Sequence, residues 1–99
     1  MEQPKRNAIG QNLRRIRIKR ELSQQRLSVE CSRLGYEIPR ATLAKIEAEI
    51  RAVSDIEIFV LAHALKIEIG TLYPPAMIKM IRDGKIAPFH VRGRDTTDG

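Results

Sequence analysis

The chain has no tryptophan, only four aromatic residues and a single cysteine. So few aromatics exclude an aromatic-rich core and point to a small one built from Ile, Leu and Ala. One cysteine excludes an intrachain disulfide. Cys31 falls on the apolar stripe of a predicted helix, which reads as a buried small hydrophobe rather than a reactive thiol. No apolar run approaches the roughly 18 residues of a membrane span. The opening stretch MEQPKRNAIG lacks the hydrophobic region of a signal peptide. These features fit a reducing cytoplasm. There is no Gly-rich phosphate loop. His63 and His90 stand without Cys or carboxylate neighbours at metal-ligand spacing, so neither a metal nor a cofactor is implied. Cys31, a histidine and Asp55 can be written as a triad, but almost any chain of this size permits such a list. Nothing supports an enzyme.

What the chain does have is positive charge, and it is unevenly placed. Its 99 residues allow one domain with a modest core. The net charge is +6. Residues 1–52 hold 12 Lys/Arg against 6 Asp/Glu, whereas residues 53–99 hold 6 of each. All the excess therefore lies in the first half, where it favours an acidic partner such as DNA.

The same half carries two short helical patterns joined by a connector, LSQQRLSVECSRLGYEIP and RATLAKIEAEIR. Before them, Asn7 can cap a helix running to about Arg20, with Ile9, Leu13 and Ile16 as its apolar stripe. Ser23 caps the next helix, expected to bury Leu27, Cys31 and Leu34. Gly35 suits its stop, because glycine enters the left-handed conformation without steric cost. Pro39 suits the first position of a third helix, which places Leu43, Ile46 and Ile50 on one face and Arg40, Thr42, Lys45 and Arg51 on others. Ser54 caps a fourth helix ending near Lys66, with Asp55 and Glu57 at its positive end. Ile69–Tyr73 can form a short fifth turn, broken by Pro74-Pro75. AMIKMIR can form a short helix, Lys85–Val91 can be extended, and RGRDTTDG reads as a frayed end.

The fourth helix carries a second signal. Ile58, Leu61, Ala62 and Leu65 form its expected core face. Ile56, Phe59, Val60 and His63 fall broadly opposite, as a candidate dimer or partner face. Either the C-terminal segment or a second chain would cover them.

SQQRL, then IPRATLAKIEAEIR, then SDIEIFVLAHALKI resembles the Xre/Cro-type helix-turn-helix domain of phage repressors and bacterial regulators, over residues about 9–73. The resemblance implies an all-α, five-helix lambda-repressor-like domain over residues 7–73, with residues 74–99 as a C-terminal extension for dimerisation or partner binding. It implies that Gln24, and more weakly Ser23 and Arg51, touch DNA phosphates. It puts Arg40, Ala41 and Lys45 at base edges, Thr42 near the backbone or a base methyl, and Arg17 and Glu47 in a structural salt bridge. Arg40 and Lys45 are the donor types that recognise guanine O6 and N7 in the major groove. Two departures stand out. The stretch from Leu27 to Ile38 is longer than the tight turn of the phage repressors. Glu49 stands where glycine often ends the recognition helix, so that helix is expected to run on through Ile50. The function implied is a sequence-specific transcriptional regulator, more often repressing than activating, acting as a homodimer on double-stranded DNA. The rival reading is an antitoxin or interaction module whose C-terminal segment holds a toxin or another protein.

Overall fold

The N-cap of the first helix is Ile9, which has no side-chain cap, and not the expected Asn7, which acts two residues earlier. Asn7 Oδ1 accepts the N–H groups of Ile9 and Gly10 at 3.0 and 2.7 Å, while its Nδ2 donates to the carbonyls of Ile46 and Arg51. One side chain thus holds the approach to α1 (Gly10–Lys19) and ties it to the end of the third helix. The computed structural model describes residues 4–84. The remaining helices are α2 (Gln24–Arg33), α3 (Arg40–Glu47), α4 (Asp55–Leu65) and α5 (Pro75–Arg82), with a 3-10 turn at Ile69–Leu72. Among the described residues there is no strand, and no helix is long and apolar enough to cross a membrane. The expectations for Lys85–Val91, His90 and the RGRDTTDG end lie outside the described residues.

Local sequence explains most helix starts. Ser23 Oγ accepts the Arg26 N–H at 2.9 Å. Ser54 and Glu57 form a full capping box, each side chain accepting the other's backbone N–H. Pro39 and Pro74 precede α3 and α5 with extended backbone, and neither offers a side-chain cap.

The stripes converge on one core. Ile9, Leu13 and Ile16 meet Leu27 and Cys31 from α2, Leu43 and Ile46 from α3, and Leu61, Ala62 and Leu65 from α4, with Ile38 and Leu72 closing its edges. Each fully buried Leu or Ile contributes roughly 1.5–3 kcal/mol of transfer free energy. Cys31 is fully buried there, and desolvation pushes its thiol up to about 11. Asn12, also buried, donates to the carbonyls of Thr71 and Leu72 and so fastens the 3-10 turn to α1.

The long connector is held at both ends. Gly35 takes φ +90, and the Tyr36 N–H donates to the Cys31 carbonyl at 3.3 Å. Ser28 Oγ donates to the Ile38 carbonyl at 2.6 Å while Ile38 inserts into the core. The extra residues project without loosening the junction between α2 and α3.

Several expectations need correction. Leu34, expected in the core, is exposed, because α2 has already ended at Arg33 and the connector turns it outward. The third helix does not run through Ile50. It ends at Glu47, Ala48 caps it, and Glu49 adopts φ +64. The left-handed conformation costs a non-glycine residue roughly 1–2 kcal/mol, and here tertiary contacts offset it. The buried Glu49 carboxylate accepts the Gln11 N–H at 3.0 Å and faces Lys5 Nζ at 3.3 Å. Ile50 is left in solvent. On α4, Val60 is buried rather than part of an exposed face, and Ile58 is only half-buried.

Candidate nucleic-acid interface

The exposed side of α3 is made of Arg40, Ala41, Lys45 and Ala48. Thr42 and Ala44 flank it half-buried, and Leu43, Ile46 and Glu47 face inward. Two cations therefore stand on a helix surface otherwise built from alanine. Small side chains between long donors let a helix approach a groove floor closely while the donors reach past it.

Behind this face lies a buried ion pair. Arg17 Nε donates to Glu47 Oε2 at 2.6 Å and Arg17 Nη2 to Glu47 Oε1 at 3.0 Å, a two-pronged arrangement. The side chains are 9% and 2% exposed. Arg17 Nη1 also donates to the Leu22 carbonyl at 2.7 Å, so the pair links α1, the turn before α2, and the end of α3. The Glu47 hydrogen bond holds the Arg17 guanidinium above its ordinary range, against the opposing effect of burial.

Gln24, the first residue of α2, sits between that pair and the exposed face. Its Nε2 donates to Glu47 Oε1 at 3.0 Å, and its Oε1 accepts from Arg40 Nη1 at 3.0 Å. Ser23 is exposed next to it while its hydroxyl oxygen caps α2. Gln24, Arg40 and Glu47 thus share one chain of hydrogen bonds. Lys45 lies on the same helix with its side chain in solvent.

Arg51, expected on a phosphate, is paired with a carboxylate of its own chain while its side chain stays 38% exposed. Its Nη1 and Nη2 donate to Glu57 Oε1 and Oε2, both at 3.0 Å, and Nη1 also reaches the Ala52 carbonyl. The Glu57 carboxylate takes both prongs of the guanidinium fork, so Arg51 braces the α3–α4 loop against the capping box. Its hydrogen bond to Arg51 holds the Glu57 carboxyl below the ordinary carboxylate range. Burial opposes this, and the Ser54 backbone N–H adds to it.

A family model described as helix-turn-helix matches residues 13–72. The chain belongs to the Xre/Cro-like helix-turn-helix family. No curated protein and no solved structure matches it. The family supports a DNA-binding regulator of transcription as the kind of function, and it is not typically enzymatic. The matched span of this helix-turn-helix domain begins at Leu13 and closes at Leu72, both fully buried core residues.

Outside α3, Ile56 and Phe59 are each more than half exposed on α4, and the Phe59 ring lies 4.3 Å from that of His63 between centroids. Among the described residues no group of His, Cys, Asp or Glu side chains could hold a metal ion. Sequence reading missed three tertiary roles: Asn12 fastening the 3-10 turn, Glu49 bonding the start of α1, and Asn7 reaching α3. The signal available for Asn7 and Asn12 was an amide on or beside the apolar stripe of α1, where a polar group needs buried partners.

Proposed function

We propose that this helix-turn-helix domain reads double-stranded DNA in the major groove with the exposed face of α3. The observation that carries this reading is the exposed face of Arg40, Ala41 and Lys45 mounted on a buried ion pair. Arg40 and Lys45 donate to guanine edges, and Thr42 meets a base methyl or the backbone. Gln24 and Ser23 touch phosphate and fix the register. Gln24 can do so while bonded as described, since one of its two amide hydrogens is not needed by Glu47. The domain acts as a repressor by occupying its operator.

It works as a homodimer on a pseudo-palindromic site, with half-sites about 34 Å apart. The exposed Ile56, Phe59 and His63 on α4 support this, because an apolar strip on a small domain favours a covering partner. Binding of genomic fragments measured against salt tests the reading. Specific complexes should weaken steeply as salt rises, through counterion release. Arg40→Ala and Lys45→Ala should each lose ~1–3 kcal/mol of base discrimination. Normal preference in both variants would remove α3 as the reading face.

One observation favours a second reading, an antitoxin-like role with a protein partner on the C-terminal side. No residue of α5 is buried, and Gly70, Tyr73, Met77, Ile78 and Ile81 line an open groove there. Co-purification of a small partner that is lost on Ile78→Lys would support it.

A further inference from the structure

We propose that Glu47, besides bracing the fold, is a positioning residue for base reading: acting through Gln24, it fixes the direction of Arg40 and restricts position 40 to a hydrogen-bond donor. This rests on the reading that Arg40 meets base edges.

The argument is one of donor and acceptor polarity. The Glu47 carboxylate only accepts hydrogen bonds. Gln24 stands 3.0 Å from it and can face it only with its NH2 end, since the reverse would set an amide oxygen against a buried carboxylate. The amide oxygen is therefore forced outward. An outward oxygen accepts and does not donate, and the group it meets is Arg40 Nη1 at 3.0 Å. A guanidinium only donates, so the two ends of the chain agree. The order of the whole relay is set at the buried end, where Arg17 holds Glu47 with two bonds and little water access.

Two consequences follow for recognition. Arg40 uses one N–H on Gln24 and keeps the rest of its guanidinium for a guanine edge. A long side chain on an exposed helix tip also arrives already oriented, which lessens the entropy lost on binding. Substituting Glu47 thus changes the reading of one base pair without touching DNA.

The test is a selection from a duplex library with a randomised site, using the full chain as wild type, Arg40→Ala, Gln24→Leu and Glu47→Gln. Circular dichroism checks that each is folded. Arg40→Ala should erase the preference at one base pair. Gln24→Leu and Glu47→Gln should weaken that same preference roughly five- to tenfold while sparing the other positions. A purely structural Glu47 would lower affinity for all sequences alike and leave the preference profile unchanged. If Arg40→Ala alters no position, the DNA-reading assignment of Arg40 fails. If it alters one position that both other variants keep, the relay is overturned and the reading stands. If only Gln24→Leu alters it, Glu47 has no part in positioning. Should Glu47→Gln not fold, retained preference in Gln24→Leu is enough to overturn the relay, and loss at that one position supports it.

Discussion

The two ends of the described chain are built on opposite terms. At the junction of α1 with α3, polar groups are buried and matched: Asn7 bonds four backbone groups, Glu49 caps the start of α1, and Arg17 grips Glu47. In α5 the pattern is inverted. Ile78 and Ile81 stand in solvent, Met77 and Met80 are half-buried, and no residue is fully buried. Stability is therefore concentrated behind α3. A rigid root there leaves the exposed tip of α3 open to substitution without unfolding the domain.

The sharpest way to break this contrast is to strand a charge in the junction. Arg17→Met should cost about 3–5 kcal/mol, because it leaves the Glu47 carboxylate buried without its partner. Urea unfolding should show a large drop in midpoint with little change in slope. Glu49→Ala comes next, at about 1.5–3 kcal/mol for a lost charged hydrogen bond at a helix start. Glu49→Gly should be milder than Glu49→Ala by roughly 1 kcal/mol, since glycine relieves the left-handed backbone. Equal melting temperatures for the two would mean that the φ of +64 carries no cost. Gly10→Ala falls in a similar range, about 1–3 kcal/mol. An added Cβ would lie 2.3 Å from the Ile46 carbonyl oxygen and 2.6 Å from Glu49 Cγ, so backbone must move.

A smaller effect concerns acid. The folded pKa of Glu57 lies below its ordinary value of 4.5, so as pH falls the unfolded chain takes up the proton first. The stability from the Arg51 contact is complete above that ordinary value and is lost as pH drops through the folded one. Glu57→Gln should flatten the stability profile between about pH 5 and pH 3, and a profile as steep as wild type would assign the acid sensitivity elsewhere. At the far end of the scale, Ile81→Ser on α5 should change monomer stability by no more than about 0.5 kcal/mol. A large loss there, read at dilute protein concentration, would mean that α5 belongs to the core.

The readable parts of the fold are those governed by local chemistry. Ser23 and Ser54 announce helix starts because a hydroxyl can accept an orphan N–H wherever it stands. The α1 stripe is legible because polar residues surround it and leave Ile18 as the one large apolar residue of α1 off that face. The fourth helix is the opposite case. Its apolar residues run nearly all round, so periodicity alone could not separate buried Val60 from exposed Phe59. The end of α3 was hidden for another reason. Glycine's absence at position 49 argues for a longer helix, but the compensating partners, Gln11 and Lys5, lie some forty residues away in sequence. At the candidate interface, the donor types of Arg40 and Lys45 could be read directly. That Arg51 belongs to Glu57, and that Gln24 joins Glu47 to Arg40, depends on which of several opposite or matching groups come within reach, and only tertiary geometry decides that.

The lone thiol in the core offers something that neither the interface nor α5 can. Cys31 is fully buried and, with its pKa pushed up to about 11, fully protonated near neutral pH. A thiol-specific dye meets a reactive thiolate only after α2 has lifted away from the core. The natural protein therefore carries its own clock for core opening. Slower labelling in the presence of a bound DNA fragment would report how far occupying α3 quiets the interior.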